Sequence, residues 1–419
     1  MKKLYFLLLI SSFASAQLTW SPLPNAAVNT NGQRFDDVFF LNENLGWAAN
    51  GYYAAVYKTT DGGATWVQQL NNSILGSAHY FRNIEFLDEN IGFLGTLSGK
   101  FYKTLDGGTT WNLVSITPNP AAICGLDCVG TSTIYGCGAY FSPAYIIKSS
   151  DSGATWQYIN MSAYANALVE IVFTDENTGY AAGNNANGAV VLKTIDGGTT
   201  WTTIYNGTIS GEYVWKLQIL PSNPNIIFGA IEAVAPNNGK LLKSTDGGVN
   251  WITKNAPEPE IQAVGFVDEN HGWMGGHATG FYETTDGGDT WTNTSVGSNL
   301  NRIFFINNNI AYACGTTVYK MTNNLAVNSF EEQARIPLNV RVAPNPIKDK
   351  LNLEIDFKGT DHLVLGLYNS NGQFIKQLKL DEINSAGTQK YSFDFPYSNG
   401  IYFLNLHTNT GRQSFKISK

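Results

Sequence analysis

A chain of 419 residues with only 14% charged side chains is too long for one small core, and at 13% Phe, Tyr and Trp it is too aromatic for disorder. Such rings suit pleated, half-buried surfaces and the 42 Gly mark many tight turns, which excludes an all-helical or collagen-like chain. A formal net charge of −7, with Lys and Arg scattered, excludes a basic nucleic-acid binder.

Residues 1–16 read as a secretory signal. Lys2 and Lys3 give a positive start, Leu4 to Ile10 an apolar run, and Ala14-Ser15-Ala16 the small side chains of a cleavage site. The run is far shorter than the ~20 residues that cross a bilayer, and no later segment reaches that length. The mature chain is therefore expected to begin at Gln17, without a membrane span.

From residue 17 the dominant feature is self-similarity. Six times the chain writes Ser or Thr, any residue, Asp, any residue, Gly, two residues, Trp. The aspartates are Asp61, Asp106, Asp151, Asp196, Asp246 and Asp286, spaced by 45, 45, 45, 50 and 40 residues; the tryptophans are Trp66, Trp111, Trp156, Trp201, Trp251 and Trp291. Between boxes a second element recurs, an apolar strand, a polar turn and a second strand rich in small and aromatic residues, as in Asp37 to Trp47, Asn83 to Phe93, Glu170 to Tyr180, Ala263 to Trp273 and Arg302 to Tyr312. Four short strands per period of this length are the signature of a propeller blade. Degenerate copies near 125–138 and 215–229 bring the count to seven units. The seventh has Asn323 in the Asp place and no following Trp, whereas Leu18-Thr19-Trp20 mimics a fourth strand. The expected fold is all-β: a seven-bladed β-propeller over 17–325, closed by its N-terminal strand.

The boxes resemble the Asp-box, or bacterial neuraminidase repeat, and the whole pattern resembles the photosystem II assembly and stability factor family of propellers. The resemblance implies that the box turns lie on the outer rim. A carboxylate accepting hydrogen bonds from its own turn, glycines at positive φ and a Trp plate between hairpins fit scaffolding, and six copies pointing in six directions do not converge on one site.

Cys124, Cys128, Cys137 and Cys314 are few for an exported chain. If residues 123–129 and 132–138 pair around Gly130-Thr131, Cys124 lies opposite Cys137 and a cross-strand bridge is open to them; buried free thiols are the alternative, and the expected one for Cys314. Cysteine spacing without a nearby His gives no zinc site, the five His lack metal or triad spacing, and no Gly-Gly carries a phosphate-loop Lys, so no metal and no cofactor is expected.

Residues 326–337 read as a linker, and 338–419 as a small Ig-like β-sandwich of short antiparallel strands. The Pro344-Asn345-Pro346 opening, the Tyr368-Asn369-Ser370-Asn371-Gly372 turn, Asn399-Gly400-Ile401-Tyr402 and the terminal Lys416-Ile417-Ser418-Lys419 resemble the type A C-terminal sorting domain of the type IX secretion system of Bacteroidota. That resemblance implies passage of the outer membrane guided by the tail, with the secretion machinery as partner and the cell surface or medium as destination. Charge divides likewise: residues 17–336 carry a net −12 and residues 337–419 a net +3. An acidic propeller disfavours nucleic acid and anionic lipid as partners.

The link to sialidases calls for an enzyme test. Those enzymes bind a carboxylate with three arginines, and this propeller has Arg34, Arg82 and Arg302 before inner strands of adjacent units. Counted from the strand Phe, Arg302 is expected to face the opposite side from the other two. Other propeller glycosidases use two carboxylates, for which Asp36, Glu85, Asp127, Glu170, Glu212 and Glu260 are the candidates. No residue is assigned a catalytic role. The preferred expectation is a secreted, monomeric, non-catalytic propeller whose top face, with Arg34, Arg82, Arg302 and Trp215 and the aromatics Tyr52, Tyr53, Tyr80 and Tyr140, binds a glycan or surface protein; the alternative is a secreted glycoside hydrolase.

Overall fold

The structure, a computed structural model, describes residues 16–76, 79–138, 143–325, 339–370, 374–408 and 411–419. The expected signal segment before residue 16, the 326–337 linker, Tyr140 and the Asn371-Gly372 turn lie outside them. The chain divides into two units, Met1–Leu325 and Ala326–Lys419.

The first unit holds seven four-stranded antiparallel sheets. Their inner strands are Phe35–Phe40, Phe81–Phe86, Gly125–Val129, Ala167–Phe173, Tyr213–Ile219, Ile261–Phe266 and Arg302–Asn307, which open blades 1 to 7. Each inner strand packs against the next and the seventh returns to the first, so the ring closes. Blade 7 takes its outer strand from the other end of the chain: Ala16–Pro22 pairs with Val318–Leu325, with Trp20 opposite Met321. This leaves no open sheet edge at the join.

The repeat supplies the glue between blades. An aromatic of the second strand stacks on the Phe ending the next blade's inner strand at four joins: Trp47 on Phe86 at 3.5 Å, Tyr135 on Phe173 at 3.7 Å, Phe228 on Phe266 at 3.8 Å and, across the closure, Tyr312 on Phe40 at 3.4 Å. The Gly that opens the second strand of blades 1 and 2 makes room for that Phe, because a Cβ on Gly46 or Gly92 would strike the Phe40 or Phe86 ring. A Lys of the third strand lies over an aromatic of the second, Lys58 over Trp47, Lys148 over Tyr135, Lys193 over Tyr180 and Lys320 over Tyr312, and donates to the next blade's box turn at the Gly107, Gly197, Gly247 and Gly62 carbonyls respectively.

Each box turn is closed by its Asp. Asp61 Oδ1 accepts from the Thr59 hydroxyl and the Thr65 amide, both at 2.8 Å, and Oδ2 accepts from the Thr65 hydroxyl at 2.6 Å. These bonds, the Thr65 hydroxyl foremost, hold the fully exposed Asp61 carboxyl down at about 2. The same pattern recurs at Asp106, Asp151, Asp196, Asp246 and Asp286. In the third box Ser152 takes the first Gly place and still adopts φ 57°, so the turn dictates the backbone even without glycine.

One expectation is corrected. Gly125, not Cys124, stands opposite Cys137, because the hairpin turn takes three residues and Val129 pairs with Thr133. All four cysteines are free thiols. Burial pushes the Cys128 and Cys137 thiols well above their ordinary value, which makes them inert packing groups.

The second unit is a two-sheet sandwich. Asn339–Ala343, Lys350–Phe357 and Gly387–Asp394 form one sheet; Phe374–Asn384, Asp361–Asn369, Ile401–Thr408 and Gly411–Ser418 form the other. Alternate residues Leu351, Leu353, Ile355, Leu363, Leu365, Leu367, Leu404 and Leu406 make its core.

Candidate functional site

The inner strands of five blades share a defect near their start. The register skips one residue in blade 1 between Phe35 and Asp37, in blade 2 between Phe81 and Asn83, in blade 4 between Leu168 and Glu170, in blade 5 between Val214 and Lys216, and in blade 6 between Ile261 and Ala263. The extra residues are Asp36, Arg82, Val169, Trp215 and Gln262. A β-bulge re-aims a side chain that simple alternation would send elsewhere. All five converge at one end of the ring: Asp36, Arg82, Trp215 and Gln262 line a cavity of about 260 Å³ together with Arg34, Tyr80, Leu97, Cys124, Glu232 and His277, and Val169 packs against Trp215.

The cavity wall is a bonded array of charges. Arg82 donates to Asp36 Oδ1 at 2.6 Å, and Arg34 Nε stands 3.5 Å from the same oxygen. Arg34 is further held by Gln262 Oε1 at 2.7 Å and Asn299 Oδ1 at 3.1 Å. The Arg82 guanidinium lies 5.3 Å from the Trp215 ring centre, and Trp215 stacks on Tyr213. Gln262 Nε2 donates to Glu232 at 2.7 Å and stands 2.9 Å from His277 Nε2. Burial, then Asp36, pushes Tyr80 up to about 12, and burial with Arg34 and Arg82 pushes His277 down to about 4, so at neutral pH both rings are uncharged. Burial raises Glu232 against the hydrogen bonds from Gln262 and Trp215. The result is two buried, fixed guanidinium groups beside an aromatic plate, in a cavity whose rim at Leu97 and His277 is exposed to solvent.

Of the sequence-predicted residues, Arg34, Arg82, Tyr80 and Trp215 come together here. Tyr52 and Tyr53 form an exposed edge-to-face pair and do not line the cavity. Arg302 lies apart from the cavity and points the other way round the ring: it reaches forward to Asp37 of the next blade at 3.3 Å, whereas Arg82 reaches back to Asp36 and Arg34 back to Gln262 and Asn299. Gln262, Glu232, His277 and Asn299 were not foreseen; nothing in their linear neighbourhood marks them, and Gln262 is found only by its bulge position. The box residues lie away from this cavity, each in its own turn. Among the carboxylate candidates, Asp36 is taken by the arginines, Glu170 by Lys216 at 2.6 Å and Glu212 by Lys240 at 2.5 Å, while Asp127 accepts the Phe173 amide. Among the described residues no group of three or more His, Cys, Asp or Glu is placed to hold a metal ion.

Comparison with known proteins bears on both units. Residues 341–419 match the family described as the secretion system C-terminal sorting domain. No curated protein matches the sequence. Among solved structures, YCF48 bound to D1 peptide aligns at TM-score 0.55 and 20% identity over 73% of this chain and 96% of its own. PorZ of Porphyromonas gingivalis, a surface component of the type IX secretion system, aligns at 0.54 and 12% over 93% of this chain and 60% of its own. An ancestral GH74 enzyme aligns at 0.53 and 15% over 96% of this chain and 64% of its own. At these identities the likeness is one of fold. No helix among the described residues is long and apolar enough to cross a membrane. The chain is thus a β-propeller carrying a type IX secretion C-terminal sorting domain, which marks it for export to the cell surface or beyond.

Proposed function

We propose that the propeller is a non-catalytic binding module that captures an acidic group, on a surface glycan or peptide, in the Arg34–Arg82–Trp215 cavity. The observation that carries this reading is the Arg82 guanidinium, paired with Asp36 at 2.6 Å and set over the Trp215 ring at 5.3 Å. A planar cation fixed edge-on by a carboxylate keeps free N–H edges for a second, incoming carboxylate, and the indole offers a face to a sugar ring or side chain. That YCF48 is bound to a peptide is consistent with a propeller of this fold serving as a receptor. In this reading residues 1–16 carry the chain across the inner membrane, the tail engages the secretion machinery, and the propeller works as a monomer.

A glycoside hydrolase is the second reading, favoured by one feature: Asp36 and Glu232 line the same cavity, and Glu232 has the raised affinity for a proton expected of a general acid. Against it, Asp36 already serves two arginines. The deciding experiment applies the full chain to an acidic-glycan array, a panel of acidic peptides and a panel of glycosidase substrates. Binding without product, lost in Arg82→Ala, is the expected result; product release that disappears in Glu232→Gln supports the hydrolase.

A further inference from the structure

Deeper in the ring, beyond the mouth cavity, lies a group of charges that the binding reading leaves unused. Strand register sorts them into two levels. Asp37, Glu170, Lys216 and Arg302 stand opposite Ala49, Ala182, Ala230 and Cys314, equivalent places in their blades, so two carboxylates meet two cations at one level. They pair off, Arg302 with Asp37 and Lys216 with Glu170. Two residues further along the strands come Phe39, Glu85, Asp127, Val172, Gln218, Gly265 and Phe304, opposite Trp47, Phe93, Tyr135, Tyr180, Phe228, Trp273 and Tyr312. This second level has two carboxyl groups and no cation.

Its acids are unequally served. Asp127 accepts the Phe173 amide at 2.5 Å. Glu85 is 5% exposed, and among the described residues nothing hydrogen-bonds or ion-pairs with it. A buried carboxyl without a partner is costly unless something else meets it. Arg302, Asp127, Asp37 and Glu170 all act on Glu85 electrostatically, so groups from five blades crowd one place, with the Cys128 thiol beside them. Access is from the end remote from the mouth, where Asp127, Val172, Gln218 and Phe304 are partly exposed. Phe39 and Phe304, 5.4 Å apart and tilted by 63°, supply aromatic surface, and Arg302 already rests over Phe304.

We propose that this second level is a binding site for a primary ammonium group, seated between Glu85 and Asp127 with its alkyl stem against Phe39 and Phe304. An ammonium suits the site better than a metal ion, because it needs two carboxylates and an aromatic wall rather than three converging ligands. The group comes from a small alkylamine or from a lysine side chain, and the two are separated by experiment.

The test is calorimetric titration of the full chain at pH 8 with n-butylammonium and with N-acetyl-lysine methylamide, against sodium chloride of equal ionic strength. Saturable binding of either ammonium is expected; binding of the lysine derivative alone assigns the site to a protein lysine, and binding of both to amines in general. Affinity falls at least tenfold at pH 5.5, where Asp127, pushed up to about 7, holds a proton, and is lost in Glu85→Gln, which keeps the shape of the group. Arg82→Lys leaves it unchanged, which separates this site from the mouth cavity. If Glu85→Gln does not fold, Asp127→Asn takes its place with the same expected loss. No response beyond sodium chloride, or an equal response in both variants, overturns the proposal.

Discussion

Arg82 and Asp36 join blades 1 and 2 through a bond of 2.6 Å in which both partners are buried bulge residues, and Arg34 shares the same carboxylate oxygen. One carboxylate therefore compensates two guanidinium groups. Asp36→Ala leaves both uncompensated in a buried wall, and a loss of about 3–5 kcal/mol is expected, read as a fall in the midpoint of chemical unfolding. An unchanged midpoint refutes the account of the mouth given above.

Ligand capture is expected to depend on guanidinium shape rather than charge alone. Arg82→Lys keeps the charge but removes the planar fork and its stacking on Trp215, so affinity for an acidic ligand falls roughly tenfold or more while the fold survives. Surface plasmon resonance with the ligand found in the array screen measures it.

The axial acids give stability a pH dependence of defined sign. Burial, resisted by the Phe173 amide and Arg302, pushes Asp127 up to about 7, above its value in the unfolded chain. The protonated form is then favoured by folding: the contribution is complete below about pH 4 and is lost as pH rises to 7, with a limiting slope of about 1.4 kcal/mol per unit for one proton. The box aspartates act oppositely. Asp61, Asp196 and Asp246, held at about 2, support folding above pH 4 and cease to do so as pH falls through 2. Thermal unfolding is expected to show greater stability at pH 5 than at pH 8, and Asp127→Asn is expected to flatten that difference.

Ring closure rests on the N-terminal strand. Trp20 stacks on Phe281 at 4.3 Å and meets Trp273 edge-on at 5.9 Å, filling in blade 7 the place a box Trp fills elsewhere. Trp20→Ala is expected to cost about 3–5 kcal/mol, and hydrogen exchange should quicken first along Val318–Leu325, the strand it covers.

The box turns are local, so their loss is local. Asp106→Ala removes acceptors for the Thr104 hydroxyl and for the Thr110 amide and hydroxyl. Faster exchange of the Thr110 amide and easier proteolysis at 106–110 are expected, with ligand binding at the mouth unaffected. Loss of binding would place the boxes in the site.

Blade number, blade boundaries and closure were legible in the linear chain because each rests on short-range chemistry repeated at a fixed period. A Thr-x-Asp-x-Gly turn closes on itself through bonds of four residues or fewer, and a Gly recurs where the Phe ending the inner strand lies over the second strand of its own blade. Leu18-Thr19-Trp20 could be matched to blade 7 for the same reason. The tail was readable through its motifs. What the tertiary structure decided is which side chains meet. A single extra residue in each of five inner strands, invisible to period-2 counting, sends Asp36, Arg82, Val169, Trp215 and Gln262 to one mouth, and closure alone brings Gln262 and Asn299 to Arg34 from more than 220 residues away in sequence. The Cys124–Cys137 register slipped by one because a three-residue turn replaced a two-residue one. Periodic local bonds are written in the sequence; convergence on an axis depends on how seven sheets twist and close, and no single segment carries that information.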